Sequence, residues 1–395
     1  MINNLIYIYR LFPKSIWKLT LLQILFVART TFFTTNRTVG DYSIASSSSS
    51  AIVLLVIILS IYVILNNYRY FRQANRIISK LVIFYLVCVG SLVWAGVHIV
   101  IIFKALEVFC NIYLMYIIAS KIGNTRLLLI YIIVLSTIMT YLDVINSMRL
   151  FGFGFHHTNS YSMSAMIGFL LCLQAKRYNL LSSKEANIFM ILNLLAIIGG
   201  TSSATYISFI AGLILVYSSN KKGFNFGKIL FVSFLTVIIY HLFSDIIFEF
   251  IFQGKSQQDI ETGTGRSAIF EASINSWRDS PILGHGYIIG ERNLGEYGLG
   301  INVLSTHNSY LSVLVDTGIV GLFFFLNYLI SWVYNLLKKS SKNVYAAILL
   351  PVVIACSINC LSFPAIGADW TYVGSLIFLM YIMTNLYMNN NTIKS

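Results

Sequence analysis

Apolar residues in this chain come in long runs, and short clusters of Lys and Arg separate one run from the next. A helix needs about 20 mostly apolar residues to cross the hydrocarbon core of a bilayer. On that ruler the pattern predicts spans near 16–35, 51–67, 80–98, 99–120, 126–143 and 161–177, then near 186–200, 203–219, 227–248, 318–337, 344–361 and 371–388. Lipid offers the backbone no hydrogen-bond partners, so spans must be helices or a closed barrel, and these runs are too long and unbroken for barrel strands. The expected fold is therefore all-α, a polytopic membrane protein with about 12 transmembrane helices. Its expected organisation is transmembrane helices one to nine in 1–248, a large outer loop containing short helices in 249–317, and the last three helices with a cytoplasmic tail in 318–395.

Composition agrees: 57% of the residues are hydrophobic, 10% are charged, four are Pro, and the mean hydropathy is +0.77. That places the chain far from soluble domains. A formal charge of +13 invites a nucleic-acid reading, but that needs a basic face or domain, and here the cations lie in small groups between apolar runs. They read as topology, with no nucleic-acid partner. With a cytoplasmic N-terminus, 19 of the 27 Lys and Arg fall on inner segments, among them Arg69, Arg72, Arg76 and Lys80 before the third span and Lys338, Lys339 and Lys342 after the tenth. Both termini are then cytoplasmic. The first run carries Arg10, Lys14, Lys18 and Arg29 with no small-residue cleavage site, as an uncleaved span would. The five Cys all lie inside apolar runs, which argues against a disulfide framework.

Topology leaves eight cations unexplained: Arg29, Arg37, Lys104, Arg149, Lys255, Arg266, Arg278 and Arg292. Two outer segments stand apart, 144–160 and the stretch from about 249 to 317, and a loop of the latter's length is usually functional or disordered. Within it, Ile269, Phe270, Ser273, Ile274 and Trp277 make one face of a helix that Pro281 stops. Such a helix would lie on the membrane surface or cap the bundle.

The segments GRSAIFEASINSWRDSPILGHG at 265–286 and THNSYLSVLVDTGIVGLFFFLNYL at 306–329 resemble the O-antigen ligase/polymerase family. The shared pattern is Gly-Arg before an amphipathic helix, a Trp, P-x-x-G-x-G, a spacer, H-N-x-Y-L, and x-x-G-x-x-G opening the next span. The resemblance implies a membrane glycosyltransferase on the outer face of a bacterial inner membrane, taking a glycan from an undecaprenyl diphosphate carrier. It implies a polymerase that joins carrier-linked repeats into O-antigen or capsular polysaccharide, or a ligase that moves the glycan to a lipid A core. It further implies a reaction without metal or other cofactor, a His as base, Arg residues on the diphosphate, and flippase and chain-length regulator proteins of the same pathway as candidate partners.

On that reading His307 takes the proton of an acceptor hydroxyl, a role that contributes roughly 10²–10⁴-fold for a well-placed general base; the plainer alternative is a His that caps a helix or sits at the interface. Arg266, at the start of the loop helix, can meet a departing diphosphate together with orphan backbone N–H groups. Arg149, Arg278 and Arg292 are further cations for the same anion, against a plainer role as solvated or headgroup-binding residues. Asn159, Asn308, Tyr310 and Asp369 are candidates to bind substrate. The segment RLFGFGFHHTN at 149–159 matches the family more loosely; His156 and His157 are adjacent, so their side chains diverge, and no D-x-D is present, which predicts no metal.

One departure stands out. Where many family members carry an Arg after Thr-x-Ser, this chain has Thr201, Ser202, Ser203 and Ala204. Lys104 is a candidate substitute, although Glu107 one turn away would equally pair with it. Either Asp316 or Asp369 is a candidate to orient the imidazole. A rival of another class, a lipid-linked oligosaccharide flippase, would show internal repeats and broken central helices, whereas the unusual residues here crowd one outer loop.

Overall fold

A computed structural model describes residues 12–32, 47–151, 159–220, 223–224, 227, 266–297, 305–367 and 371–388. The described residues are helical apart from turns and one two-residue antiparallel ladder that pairs Ser219–Asn220 with Gly223–Phe224. The helices are α1 (Lys14–Phe32), α2 (Ser47–Asn66), α3 (Tyr68–Ile77), α4 (Ser79–Gly90), α5 (His98–Ile122), α6 (Thr125–Phe151), α7 (Asn159–Arg177), α8 (Ser183–Gly199) and α9 (Ser203–Ser218). They continue as α10 (Arg266–Asp279), α11 (Ile289–Arg292), α12 (Ser309–Ser340), α13 (Val344–Asn359) and α14 (Tyr372–Met383).

A helix overlies each expected span except 227–248, of which only Gly227 is among the described residues. Length and apolarity are more selective. His98–Ile122, Thr125–Met148 and Ser309–Ser340 suffice to cross a bilayer, and a fourth crossing exists if the α2–α3 pair counts as one. The described helices thus include three or four candidate crossings, where the sequence predicts about twelve. Part of the difference is geometric: α9 and α13 have 16 residues, and α14 has 12 before a π-helical turn over Thr384–Met388, and at 1.5 Å per residue these fall short of a core about 30 Å thick. The α2–α3 pair bends by 92° at Asn67. The change follows composition, because α2 is apolar while α3 carries Arg69, Arg72 and Arg76, as a helix lying along a membrane face does.

The chain divides into two compact units. In the first (Met1–Gly123, Glu261–Ser331, Cys360–Leu386), α5 is the central element and packs against α1, α2, α3, α4 and α14. It ends at Gly123, whose left-handed φ of +65° costs a glycine nothing. Its buried Asn111 donates to Gln23 Oε1 of α1 (3.1 Å) and accepts from Ser375 Oγ of α14 (3.0 Å), so the contact is polar as well as apolar. In the second unit (Asn124–Ile260, Trp332–Asn359, Tyr387–Ser395), α7 packs against α6, α8, α9 and α13. Asn193 of α8 donates to Thr137 Oγ1 (2.9 Å) and Asn359 of α13 to Thr205 Oγ1 (3.1 Å). All five cysteines are buried thiols.

Candidate functional site

The first unit holds the chemically loaded stretch, and the backbone organises it. After α10, residues 281–286 run beside the middle of α12. His285 N–H donates to Val315 O (3.0 Å), Gly286 N–H to Asp316 O (2.8 Å), Ile319 N–H to Pro281 O (3.0 Å) and Val320 N–H to Ile282 O (3.2 Å). Two glycines permit this approach. A Cβ on Gly284 would stand 2.5 Å from the carbonyl of Asp316, and one on Gly318 would stand 2.2 Å from Ile282 O; both residues have positive φ, +68° and +63°. Gly318 also interrupts α12, the one non-helical position within it. The sequence predicts a span from 318, whereas the helix begins at Ser309 and breaks there.

Two buried carboxylates lock the next layer. Asp316 accepts the backbone N–H of Ile288 (2.8 Å) and of Glu291 (3.0 Å). Glu291 Oε1 in turn accepts from Thr306 N–H (3.0 Å), Thr306 Oγ1 (3.1 Å) and Ser312 Oγ. Burying a carboxylate is costly unless donors replace its water, and here several do. Arg292, 4% exposed, acts electrostatically on Asp316. The segment is tied to the end of α4 as well, since Tyr287 N–H donates to Ser91 Oγ (3.0 Å) and Trp94 Nε1 to Gly284 O (3.1 Å).

His307 stands at the end of this chain of bonds. Its neighbour Thr306 is held by Glu291, and Asn308 caps α12 by accepting from Tyr310 N–H (2.8 Å) and Leu311 N–H (3.1 Å). Pinned on both sides, His307 adopts φ +52°, a conformation that costs a residue with a Cβ about 1–3 kcal/mol and persists only where the surroundings impose it. Its N–H donates to Ser305 Oγ (3.2 Å), and its side chain is half-buried.

The other candidates divide clearly. Arg266 opens α10, half-buried, and burial depresses its guanidinium below the ordinary range without discharging it. Arg278, on the same helix, is exposed. Arg292 differs from the sequence alternative of a solvated or headgroup-binding cation, because it is buried beside Asp316. Tyr310 sets its ring edge-on to Phe325 at 5.7 Å. Lys104 is buried in α5 and pairs with Glu107 at 3.2 Å. Asp316, one of the two carboxylates the sequence offers beside the imidazole, accepts from the backbone of the 288–291 turn. Asp369 lies outside the described residues, as do His156, His157 and Lys255.

Asn159 and Arg149 belong to the second unit. Asn159 Oδ1 accepts from Ser202 Oγ (2.6 Å), which joins the start of α7 to the Thr201–Ala204 turn, and Ser160 Oγ beside it donates to the buried Asp143. Arg149 falls in the last turn of α6, and its side chain lies outside what the structure describes.

The arrangement offers a restrained imidazole, a half-buried cation and two carboxylates consumed in support. Residues 188–326 match a family model described as O-antigen ligase. The match covers 139 of the 395 residues, and over that stretch the chain is similar to this family. No curated protein matches it. The matched segment contains the whole seam between 281–286 and α12, together with Glu291 and His307. Glu291, Thr306 and Ser312 were not singled out by the sequence reading. A signal existed for Glu291, an adjacent Glu-Arg pair inside the mostly apolar stretch 287–294. Among the described residues no three His, Cys, Asp or Glu side chains stand close enough to share a metal ion.

Proposed function

We propose that this membrane protein is a glycosyltransferase that joins undecaprenyl-diphosphate-linked oligosaccharide repeats, a polysaccharide polymerase, with His307 as its general base. The observation that carries the reading is the conformation of His307: a left-handed backbone held by Glu291 through Thr306 and by the Asn308 cap. Strain kept in place by its surroundings is characteristic of sites that need a side chain aimed. In the reaction the acceptor hydroxyl gives its proton to the imidazole as its oxygen attacks the anomeric carbon, and the bond to the carrier diphosphate breaks. The departing diphosphate takes the electron pair. Arg266, already partly stripped of water, stabilises that charge from the start of α10, where backbone N–H groups also point at an anion. Arg278, Tyr310 and Asp369 are the further substrate-binding residues of the first unit, and Arg149 and Asn159 are separate substrate-binding candidates of the second, with no metal.

The same reading places the chain in the bacterial inner membrane with about twelve spans, both ends cytoplasmic and the His307 segment on the outer face. The description of the matched family favours a second reading, an O-antigen ligase that delivers the glycan to lipid A core. A deletion strain separates the two: surface glycan with a single repeat unit supports the polymerase, and polymer accumulating on its lipid carrier supports the ligase. Transfer that persists in His307→Ala would overturn both. The domain match also weighs against the flippase, which needs no base and no leaving group.

A further inference from the structure

In the second unit a half-open cavity of about 220 Å³ lies between Tyr178, just past α7, and the turn that joins α12 to α13. Its wall is rich in donors. Tyr178, Ser341 and Lys342 line it, and none of their side-chain polar atoms makes a hydrogen bond among the described residues. The start of α13 adds backbone. Asn343 Oδ1 accepts from Tyr345 N–H (2.9 Å) and Ala346 N–H (3.2 Å), whereas the N–H of Val344, also on the wall, has no acceptor among the described residues. An open N–H at a helix start favours an anion.

The charge around the cavity has one sign. Arg126 donates to Leu180 O (3.0 Å), Lys176 to Asn187 Oδ1 (2.8 Å), Arg177 to Val216 O and Lys339 to Met388 O (2.9 Å), so these cations are engaged locally while Lys342 is not. The described acids of this unit are Asp143 and Glu185. Glu185 is closed in a capping box with Ser182, and Asp143 lies 17 residues beyond Arg126 on α6, about 25 Å along the helix. Neither pairs with Lys342.

Behind the wall sits an acceptor with the opposite need. Gln174, fully buried on α7, sends Nε2 to the carbonyl of the wall residue Ala347 (3.5 Å), and its Oε1 receives no hydrogen bond among the described residues. A buried oxygen without a donor is costly and marks a place for a donor the protein does not supply. Size narrows the class further. Drug-sized ligands fill about 300–1,000 Å³, so this cavity suits a molecule no larger than a lipid headgroup. The donors call for an oxyanion, and Gln174 for a hydroxyl carried beside it.

We propose that this cavity binds a glycerol-phosphate group, its phosphate held by Lys342, Ser341, Tyr178 and the Val344 N–H and a glycerol hydroxyl turned to Gln174. The same group occurs on phosphatidylglycerol in a membrane and as the free ester in water. The site owes nothing to the proposed reaction, so its test reads binding alone.

Full-length protein in neutral detergent is titrated calorimetrically with glycerol 3-phosphate and with inorganic phosphate, and native mass spectrometry counts the phosphatidylglycerol and phosphatidylcholine it retains. One glycerol-phosphate group should bind per chain, and inorganic phosphate and phosphatidylcholine should bind more weakly. Retained phosphatidylglycerol that is lost with Lys342 supports the site with a lipid as its source, and titration by the free ester supports it with a soluble one. Lys342→Met should weaken binding about 10- to 100-fold, as loss of one charged hydrogen bond implies. Lys338→Met, which removes another exposed charge four residues earlier, should not. Ser341→Ala repeats the loss at a second exposed donor should the first variant fail to fold. Binding of neither glycerol-phosphate probe, equal affinity for inorganic phosphate, or equal weakening by Lys338→Met overturns the proposal.

Discussion

Replacing Thr306 by Val removes one hydroxyl and almost no volume, and it should slow transfer while leaving the fold in place. The Thr306 hydroxyl lies 3.1 Å from Glu291 Oε1, 2.7 Å from Ser312 Oγ and 2.8 Å from Asn308 O, and it accepts the N–H of Asn308 at 3.2 Å. A hydrogen bond to a charged group contributes about 1.5–3 kcal/mol, and leaving the Asn308 N–H without its acceptor costs about 1–3 kcal/mol more. Glu291 keeps Thr306 N–H and Ser312 Oγ, so the carboxylate itself is not orphaned. The lost energy is comparable to the roughly 1–3 kcal/mol needed to hold a left-handed residue, so the change falls on the aim of His307. A displacement near 1 Å costs up to about 10²-fold in rate, so kcat should fall about 10- to 100-fold, or about 1.4–2.7 kcal/mol in the barrier. The donor KM should hold, because Thr306 acts through His307 and not on substrate. Thr306→Ser returns the hydroxyl and should restore kcat to near the wild-type level. The assay is transfer from a synthetic lipid-diphosphate-linked repeat in proteoliposomes, with melting followed by intrinsic fluorescence. Wild-type kcat in Thr306→Val, or equal impairment in both variants, would refute the positioning argument; activity in His307→Ala would instead refute the base.

Three further substitutions probe the frame. Gly318→Ala forces a side chain into left-handed backbone at about 1–2 kcal/mol, with a Cβ 2.2 Å from Ile282 O; its melting temperature should drop, and an unchanged value would argue against the seam. Asn308→Ala removes the α12 cap, should lower stability by about 0.5–2 kcal/mol, and is read by the same melting curve. Lys104→Met alone leaves Glu107 buried without its ion-pair partner and should cost about 3–5 kcal/mol, whereas Lys104→Met with Glu107→Leu should recover most of it. A raised donor KM in that double variant would return Lys104 to the diphosphate.

Helices were readable because apolar runs and cationic clusters are local. The run of α5 ends in the sequence where the helix ends, at Gly123, and the basic stretch from Arg69 predicts a change of environment that becomes the bend at Asn67. The number of crossings was less readable, since it depends on how much of each run stays in one straight helix. The run near 80–98 shows why. It forms α4 only as far as Gly90, then a short turn, because Ser91 and Trp94 are drawn toward Tyr287 and Gly284 across nearly two hundred residues. No window of local sequence contains both ends of those bonds.

The same distinction governs the site. Arg266 and Arg292 stand out in the sequence because topology does not explain them, whereas the acids carry no such local mark. In so apolar a chain each carboxylate that is buried must recruit donors, and Glu291 and Asp316 recruit theirs from segments 15 to 28 residues away. The sequence thus exposes the need for partners, not their identity. His307 was legible as a motif, while what bends its backbone was not. The glycines make the converse case: P-x-x-G-x-G and D-T-G are recognisable as two separate signatures, yet Gly284 exists to admit the backbone of Asp316, and Gly318 to admit that of Ile282. They are the two edges of one backbone seam. A change on either side should therefore disturb the other before it disturbs any substrate, and paired substitutions at Gly284 and Gly318 should be less than additive in stability, as coupled sites are. Full additivity in a double-mutant cycle would mean that the two signatures serve separate ends.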